Sequence, residues 1–113
     1  MEKGKEETVL HNLRTFFDKT TIDNKEAEDF NFDKIYLEYY KNRNDEKVKA
    51  ETKPYGVTII KKTQTGKILE IEEKEVTNII NKENEADNIL KLLVTYKATP
   101  IGLDDVLADL VSY

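Results

Sequence analysis

The sequence contains no cysteine and only one histidine, His11. Without cysteine the chain forms no disulfide, offers no thiol nucleophile and binds no zinc through thiolates. A single imidazole with no evident serine or aspartate partner does not build a catalytic triad. We therefore expect no catalytic residue, no metal site and no cofactor.

Glycine and long apolar runs are also scarce. The four glycines in 113 residues form no phosphate-binding loop, and neither a nucleophile elbow nor a zinc-protease motif is present. No uninterrupted apolar run exceeds three residues, so no segment is long enough to span a bilayer. The first residues, MEKGKEETVL, lack the apolar stretch of a secretory signal. We expect a cytoplasmic protein with no membrane partner.

Charge is abundant, and it is acidic on balance. The chain has 18 basic and 23 acidic residues and a formal net charge of −5. Proteins bind polyanions mainly by neutralising phosphates with Lys and Arg, and no strong basic cluster is visible. The sequence therefore predicts no nucleic-acid partner.

The first 33 residues differ in pattern from the rest. Apolar side chains recur there at helical spacing, namely Val9, Leu10, Leu13, Phe16 and Phe17. This spacing predicts a short amphipathic helix. The following stretch, TTIDNKEAEDFNFD, is polar and acidic without a sustained period, which indicates a linker. We expect an N-terminal arm over residues 1–33 and a single domain over residues 34–113.

After residue 33 the apolar period changes to two, which predicts an antiparallel meander of about three strands. The segments are KIYLEYYK, YGVTIIKK and KILEIEEKEV. Gly66 in the TQTG connection can adopt the left-handed conformation of a type I turn with a bulge. The favoured register puts Ile59 on the face of Leu69 and Ile71. Lys62 then lies on the opposite face, where it can pair with Glu70 or Glu72 across the strands.

Two helices are predicted at the C-terminal end. The first has an apolar stripe of Ala86, Ile89, Leu90, Leu93 and Tyr96, and the second one of Leu103, Val106, Leu107, Leu110 and Val111. Thr99 can cap the second helix, and Pro100 suits its first position. Strands followed by helices predict an α+β fold in which the helix pair covers one face of the meander.

The helix pair could also be a DNA-reading helix-turn-helix, but its charge argues against that function. Residues 83–113 carry two lysines and six acidic residues. Base readout needs Arg, Lys, Asn, Gln or Ser at the start of the second helix, where this chain has Asp104 and Asp105. A helical hairpin that packs on the sheet is the favoured interpretation.

Three functions are compatible with these patterns. The first is a small, acidic, non-catalytic regulator or adaptor that acts by protein–protein interaction. The alternative is a phage-type inhibitor, or an acidic nucleic-acid mimic, that blocks a host or defence enzyme. The third is an enzyme with an unusual carboxylate site at Glu70, Glu72 or Asp105. The expected partner-binding surface comprises Tyr36, Tyr40, Asp104, Asp105 and Asp109. Aromatic residues such as tyrosine are enriched in protein interfaces, and we expect a protein partner. The oligomeric state stays open.

The order YGVTIIKK … KILEIEE … IINKENEADNILKLLVTYKATPIGLDDVLADLV resembles a family of short, uncharacterised proteins from clostridia and related spore-forming bacteria. In that family a YGI-like strand precedes a hairpin, and the chain ends in a TPxxLxDVxxD-like segment. The matching residues are Tyr55, Gly56, Thr99, Pro100, Leu103, Asp105, Val106 and Asp109. The resemblance covers about residues 35–111 and implies a bacterial domain of unknown function without an assigned activity. Gly102 departs from the more usual polar residue.

Overall fold

The computed structural model describes residues 12–23, 32–44 and 53–110. The elements are β1 (Asn12–Asp23), β2 (Lys34–Asn44), β3 (Tyr55–Thr65), β4 (Ile68–Ile80), α1 (Glu83–Thr95), a 3-10 helix (Pro100–Gly102) and α2 (Leu103–Leu110). Within these residues the four strands form one antiparallel sheet in the order β1-β2-β3-β4. The predicted α+β fold with two C-terminal helices is confirmed, with four strands instead of about three.

β1 is the additional strand, and it lies where the sequence predicts a helix and a linker. The predicted helix is therefore wrong for residues 12–19, and the predicted linker is wrong for residues 20–23. Residues 1–11 and 24–31 lie outside the described residues. A bulge between Phe16 and Asp18 shifts the register of β1 against β2. Because a bulge inserts one extra residue, it breaks the alternation that would have indicated a strand.

One face of the sheet packs against the helices and forms the core. The alternate residues Ile35, Leu37 and Tyr39 of β2 are buried, and so are Val57 and Ile59 of β3. The helices contribute Ala86, Ile89, Leu90, Leu93, Leu103 and Leu107. Tyr96 does not join this stripe, because α1 ends at Thr95 and the side chain of Tyr96 is 73% exposed. Val111 lies outside the described residues. Neither α1 nor α2, the α-helices of the described segments, is long and apolar enough to cross a membrane.

The β3–β4 hairpin confirms the predicted turn position but not the turn type or the register. Its loop has two residues, because Thr65 pairs with Ile68, and Gly66 has a φ of 61°. Positive φ at the first loop residue is the pattern of a type II′ turn, which matches the twist of the flanking strands.

The register differs by one residue from the expected one, which reverses the faces of β4. Ile59 lies opposite Lys74, and Lys62 lies opposite Ile71. A shift of one residue moves every side chain of a strand to the other face. Leu69 and Ile71 therefore do not share the core face with Ile59, and the expected placement is wrong.

β4 crosses very close to β3 at Gly56. A Cβ atom at this position would overlap the carbonyl oxygen of Val76 and lie 2.8 Å from the Cα atom of Thr77. The β3–β4 register is also interrupted here, between Tyr55 and Val57. Only glycine permits such an approach of two backbones. This contact gives the Tyr55-Gly56 pair a structural role.

Candidate functional site: the open face of the sheet

The sheet face that points away from the helices, called here the open face, carries the alternate residues of each strand. Cross-strand pairing arranges them in rows. One row runs Thr21, Tyr36, Lys62 and Ile71, and the next runs Lys19, Glu38, Ile60 and Glu73. Residues of one row lie side by side, because directly opposed residues point to the same side of a sheet.

Four large apolar side chains on the open face are exposed to solvent. Phe16, Tyr36, Leu69 and Ile71 have exposed fractions between 39% and 61%. Tyr36 and Ile71 flank Lys62 in the same row, and Leu69 belongs to the adjacent row. The solvated face of an antiparallel sheet normally carries polar side chains. These residues make the open face unusually apolar.

The open face forms a depression of about 600 Å³ next to Tyr36. Its lining includes Lys19, Lys62, Glu38 and Leu69. The Lys62 ammonium lies 3.1 Å from Glu38 Oε2. At the rim, the Lys34 ammonium lies 6.0 Å from the centre of the Tyr36 ring, an arrangement in which a cation is attracted by the ring face.

The ionisation of Glu38 is set by this environment. Burial acts to raise the pKa of the carboxyl group, but two hydrogen bonds, from Tyr40 and Lys62, act in the opposite direction. The positive charges of Lys62 and Lys19 add to this effect. The net result is that the pKa of Glu38 is lowered, so the carboxylate is charged at neutral pH.

At the other end of the open face, Arg14 of β1 reaches across the sheet to β4. Its guanidinium donates hydrogen bonds to Glu73 (2.9 Å) and Glu75 (3.1 Å). It also lies 5.6 Å from the centre of the Tyr40 ring, which contacts Phe16 edge-to-face. A flat sheet would hold the two outer strands about 14 Å apart, at about 4.8 Å per strand. The long side chains of Arg14 and of the two glutamates together bridge this distance.

Two polar residues are buried in the rows beside Arg14. Thr58 Oγ1 donates a 2.9 Å hydrogen bond to Asn42 Oδ1, and both residues are almost fully buried. Asn42 Nδ2 has no hydrogen-bond partner among the described residues. This end of the open face is filled by its own side chains, whereas the end near Tyr36 is hollow.

A family model described as a family of unknown function (DUF6514) matches residues 18–113. The chain belongs to this family. The match starts within β1, so it extends further toward the N-terminus than the resemblance over residues 35–111. No curated protein and no solved structure matches the chain.

The five residues of the expected partner-binding surface lie on two sides of this DUF6514 chain. Tyr36 and Tyr40 are on the open face. Asp104, Asp105 and Asp109 are exposed on α2, in the helical layer on the other side of the sheet. The structure therefore does not bring the two groups together.

Sequence reasoning missed the neighbours of Tyr36 on the open face. The sequence places Lys19 in the predicted N-terminal helix, and it places Leu69 and Ile71 on the core face. The Thr-rich stretch TFFDKTTI, with its two adjacent aromatic residues, was the available signal for β1, because such residues favour strands.

Acidic residues of the helices form ion pairs with lysines of the sheet in this DUF6514 chain. The Lys41 ammonium lies 2.6 Å from Glu83 and 2.9 Å from Asp87, and that of Lys74 lies 3.2 Å from Asp104. Burial acts to lower the pKa of Lys41, but its bonds to the two carboxylates outweigh burial and raise it. These contacts fasten the helices to the sheet.

Glu70 and Glu72, the candidates for an acid–base pair, line a shallow depression of about 270 Å³ on the helix side of the sheet. Lys61, which also lines it, lies 3.4 Å from Glu72. The sequence predicted an ion pair with Lys62 instead, which is wrong because of the shifted register. Asp105 lies on α2 and is not among the residues that line this depression.

Proposed function

We propose that this protein is a small cytoplasmic regulator or adaptor that acts without catalysis, by binding another protein through the open face. The observation that carries the proposal is the exposed apolar group of Tyr36, Leu69 and Ile71 on a sheet face that no other described segment covers. Exposed apolar groups that are rimmed by polar residues are typical of protein interaction sites.

The shape of the open face supports the same function. The depression beside Tyr36 is concave and bordered by lysines and a carboxylate. Interfaces characteristically combine an apolar centre with a polar rim, and tyrosine is enriched in them. The residues that would make the contact come from all four strands, so the fold holds them in fixed relative positions.

The distribution of charge favours this function over an acidic nucleic-acid mimic. A mimic needs a continuous acidic surface, because its carboxylates imitate a row of phosphates. Here three carboxylates of the helical layer are paired with Lys41 and Lys74 of the sheet. The pairing of these groups reduces the negative field that a mimic requires.

The proposal can be tested by comparing two double variants with matched chemistry. Tyr36→Ala with Ile71→Asp alters the open face, and Tyr96→Ala with Ile101→Asp makes the same changes in the helical layer, where both side chains are exposed. Each tagged protein is expressed in its native cells and purified with its partners. The candidate partner is then produced recombinantly, and its affinity is measured by calorimetry.

The expected result is a protein that binds the wild type and the helical-layer variant but not the open-face variant. Circular dichroism and the unfolding midpoint must show that both variants are folded. The proposal is refuted if both variants retain the partner equally, or if no purified protein binds the folded wild type.

A further inference from the structure

We infer that the depression beside Tyr36 binds an acidic, extended peptide segment that presents carboxylates and apolar side chains on the same side. This inference rests on the proposed function and specifies the chemistry of the partner. It depends on three features of the open face: lysines with unused donors, apolar walls next to them, and a concave shape large enough for several side chains.

The first feature is the donor capacity of the lysines. Lys62 contacts one acceptor within the described residues, Glu38, although an ammonium group has three donors. Lys19 lines the same depression and is exposed. The lining residues therefore carry two positive charges and one negative charge, in a chain whose formal net charge is −5. Carboxylates of a ligand would complete the hydrogen bonds of Lys62 and Lys19.

The residues around the depression do not reverse this excess of positive charge. Lys34 stands over the Tyr36 ring, and its partner in β1 is Asp23. The Lys97 ammonium donates a 3.1 Å hydrogen bond to the carbonyl of Thr21, which also lines the depression. Lys34 and Asp23 carry opposite charges, so the excess of positive charge among the lining residues is unchanged.

The second feature is the position of the apolar walls. Tyr36 and Ile71 stand on either side of Lys62 in one row, and Leu69 lies in the neighbouring row. A ligand carboxylate on Lys62 would therefore bring adjacent apolar groups of the ligand against Tyr36, Leu69 and Ile71. Every second side chain of an extended peptide points to the same side, so a ligand whose acidic and apolar residues are separated by one position presents both kinds of group to this face.

The third feature is the concave shape of the face, which no other described segment covers, whereas part of the β1 edge is occupied. Since Lys97 donates to the carbonyl of Thr21, that part of β1 is not open for the addition of a further strand. The depression of about 600 Å³ is comparable to pockets that enclose a ligand of several side chains. The peptide is therefore expected to lie on the sheet rather than along its edge.

Two other occupants fit the observations less well. A second copy that met this face across a two-fold axis would bring Lys19, Lys34 and Lys62 close to the same lysines of its partner. Single-stranded nucleic acid needs successive aromatic platforms in a positive groove, and Tyr36 is the one ring that adjoins this depression among the described residues.

The test measures binding of a short fluorescein-labelled peptide in which Asp or Glu and Leu or Phe follow each other at every second position, with Ser or Thr between them. Fluorescence anisotropy gives its Kd for the full-length chain and for Lys19→Gln with Lys62→Gln. The matched control is Lys91→Gln with Lys82→Gln, which removes two exposed lysines from the helical layer. A peptide with lysine in place of every acid, and an oligothymidine of similar length, are measured in parallel.

We expect the acidic peptide to bind, and its Kd to rise about tenfold in the Lys19/Lys62 variant and less than twofold in the control. Raising NaCl from about 50 to 200 mM should also weaken binding. The inference is overturned by equal binding of the lysine peptide, by tighter binding of oligothymidine, or by sedimentation that shows a dimer broken by the Lys19/Lys62 variant.

The two proposals fail in different ways. If a protein partner no longer binds the Tyr36/Ile71 variant but binds the Lys19/Lys62 variant like the wild type, the inference of an acidic peptide ligand is wrong. The proposed function of the open face then stands. If neither variant affects any partner and the peptide does not bind, both proposals are wrong.

Discussion

The phenolic hydroxyl of Tyr39 donates a 2.8 Å hydrogen bond to the carbonyl oxygen of Ala98. Both residues are buried, and they join a central strand of the sheet to the connection between α1 and the 3-10 helix. Burial raises the pKa of Tyr39 far above the neutral range, so the phenol stays protonated and keeps its donor. This contact fixes the C-terminal helices against the sheet.

Replacing Tyr39 with Phe removes this donor and leaves the buried Ala98 carbonyl without it. We expect the free energy of unfolding to fall by about 1–2 kcal/mol. Urea denaturation followed by circular dichroism measures the change. Tyr96→Phe removes a hydroxyl from an exposed side chain and should alter stability by less than about 0.5 kcal/mol. Equal effects of the two substitutions would contradict the assigned role.

Gly56→Ala tests the close approach of β4 to β3. The added methyl group would overlap the Val76 carbonyl, and backbone atoms can move away only by disturbing the β3–β4 pairing. We expect a loss of about 2–3 kcal/mol in unfolding free energy. Gly102→Ala is the matched control, because the atom nearest to its added Cβ, Thr99 Oγ1, would lie 4.0 Å away. It should be neutral or slightly stabilising, and a neutral Gly56→Ala would refute the proposed packing.

Leu107→Ala tests how much α2 contributes to the core. Leu107 is fully buried, so the substitution removes apolar contacts and leaves a cavity, at a cost of about 2–5 kcal/mol. Leu110→Ala is the control within the same helix, because the side chain of Leu110 is exposed. Its effect on the urea midpoint should be less than half as large. Similar losses for both variants would indicate that α2 packs in a different orientation.

The sequence predicted correctly those elements in which the residues of the apolar periodic pattern are also the buried ones. Ile35, Leu37 and Tyr39 alternate along β2 and all three are buried. Ala86 and Leu90 of α1, together with Leu103 of α2, follow the helical period and are buried as well. In these segments the apolar side chains that make up the periodic pattern also lie in the core. The pattern therefore predicts the secondary structure and its buried face correctly.

The errors arose where apolar side chains lie outside the core. Leu69 and Ile71 are exposed, yet in the sequence they resemble the inward face of a strand, and this similarity produced the register shifted by one residue. In β1, the bulge at Phe16 and Asp18 removed the period of two. Both features belong to the open face, which explains why half of the candidate site was not predicted.

The last prediction concerns Glu38 on the open face, because the lowered pKa of its carboxyl group makes the stability of the fold depend on pH. Folding lowers the pKa of this carboxyl below its ordinary value of 4.5, through hydrogen bonds from Tyr40 and Lys62 that outweigh burial. A group with a lowered pKa stabilises the folded state above the unfolded pKa, and this contribution disappears as pH falls through the folded pKa. Glu38 should therefore contribute at pH 7 and lose its contribution below about pH 4.5.

The experiment compares urea denaturation of the wild type and of Glu38→Gln at pH 7 and near pH 3. We expect the variant to be less stable by up to about 1 kcal/mol at pH 7, since the group is partly exposed, and the difference to shrink near pH 3. Glu85→Gln, at an exposed position of α1, removes the same charge outside the open face and serves as the matched control. If the Glu38→Gln difference stayed constant between the two pH values, the Glu38 carboxylate would not be held by Lys62 and Tyr40, and the charge arrangement proposed for peptide binding would lose its support.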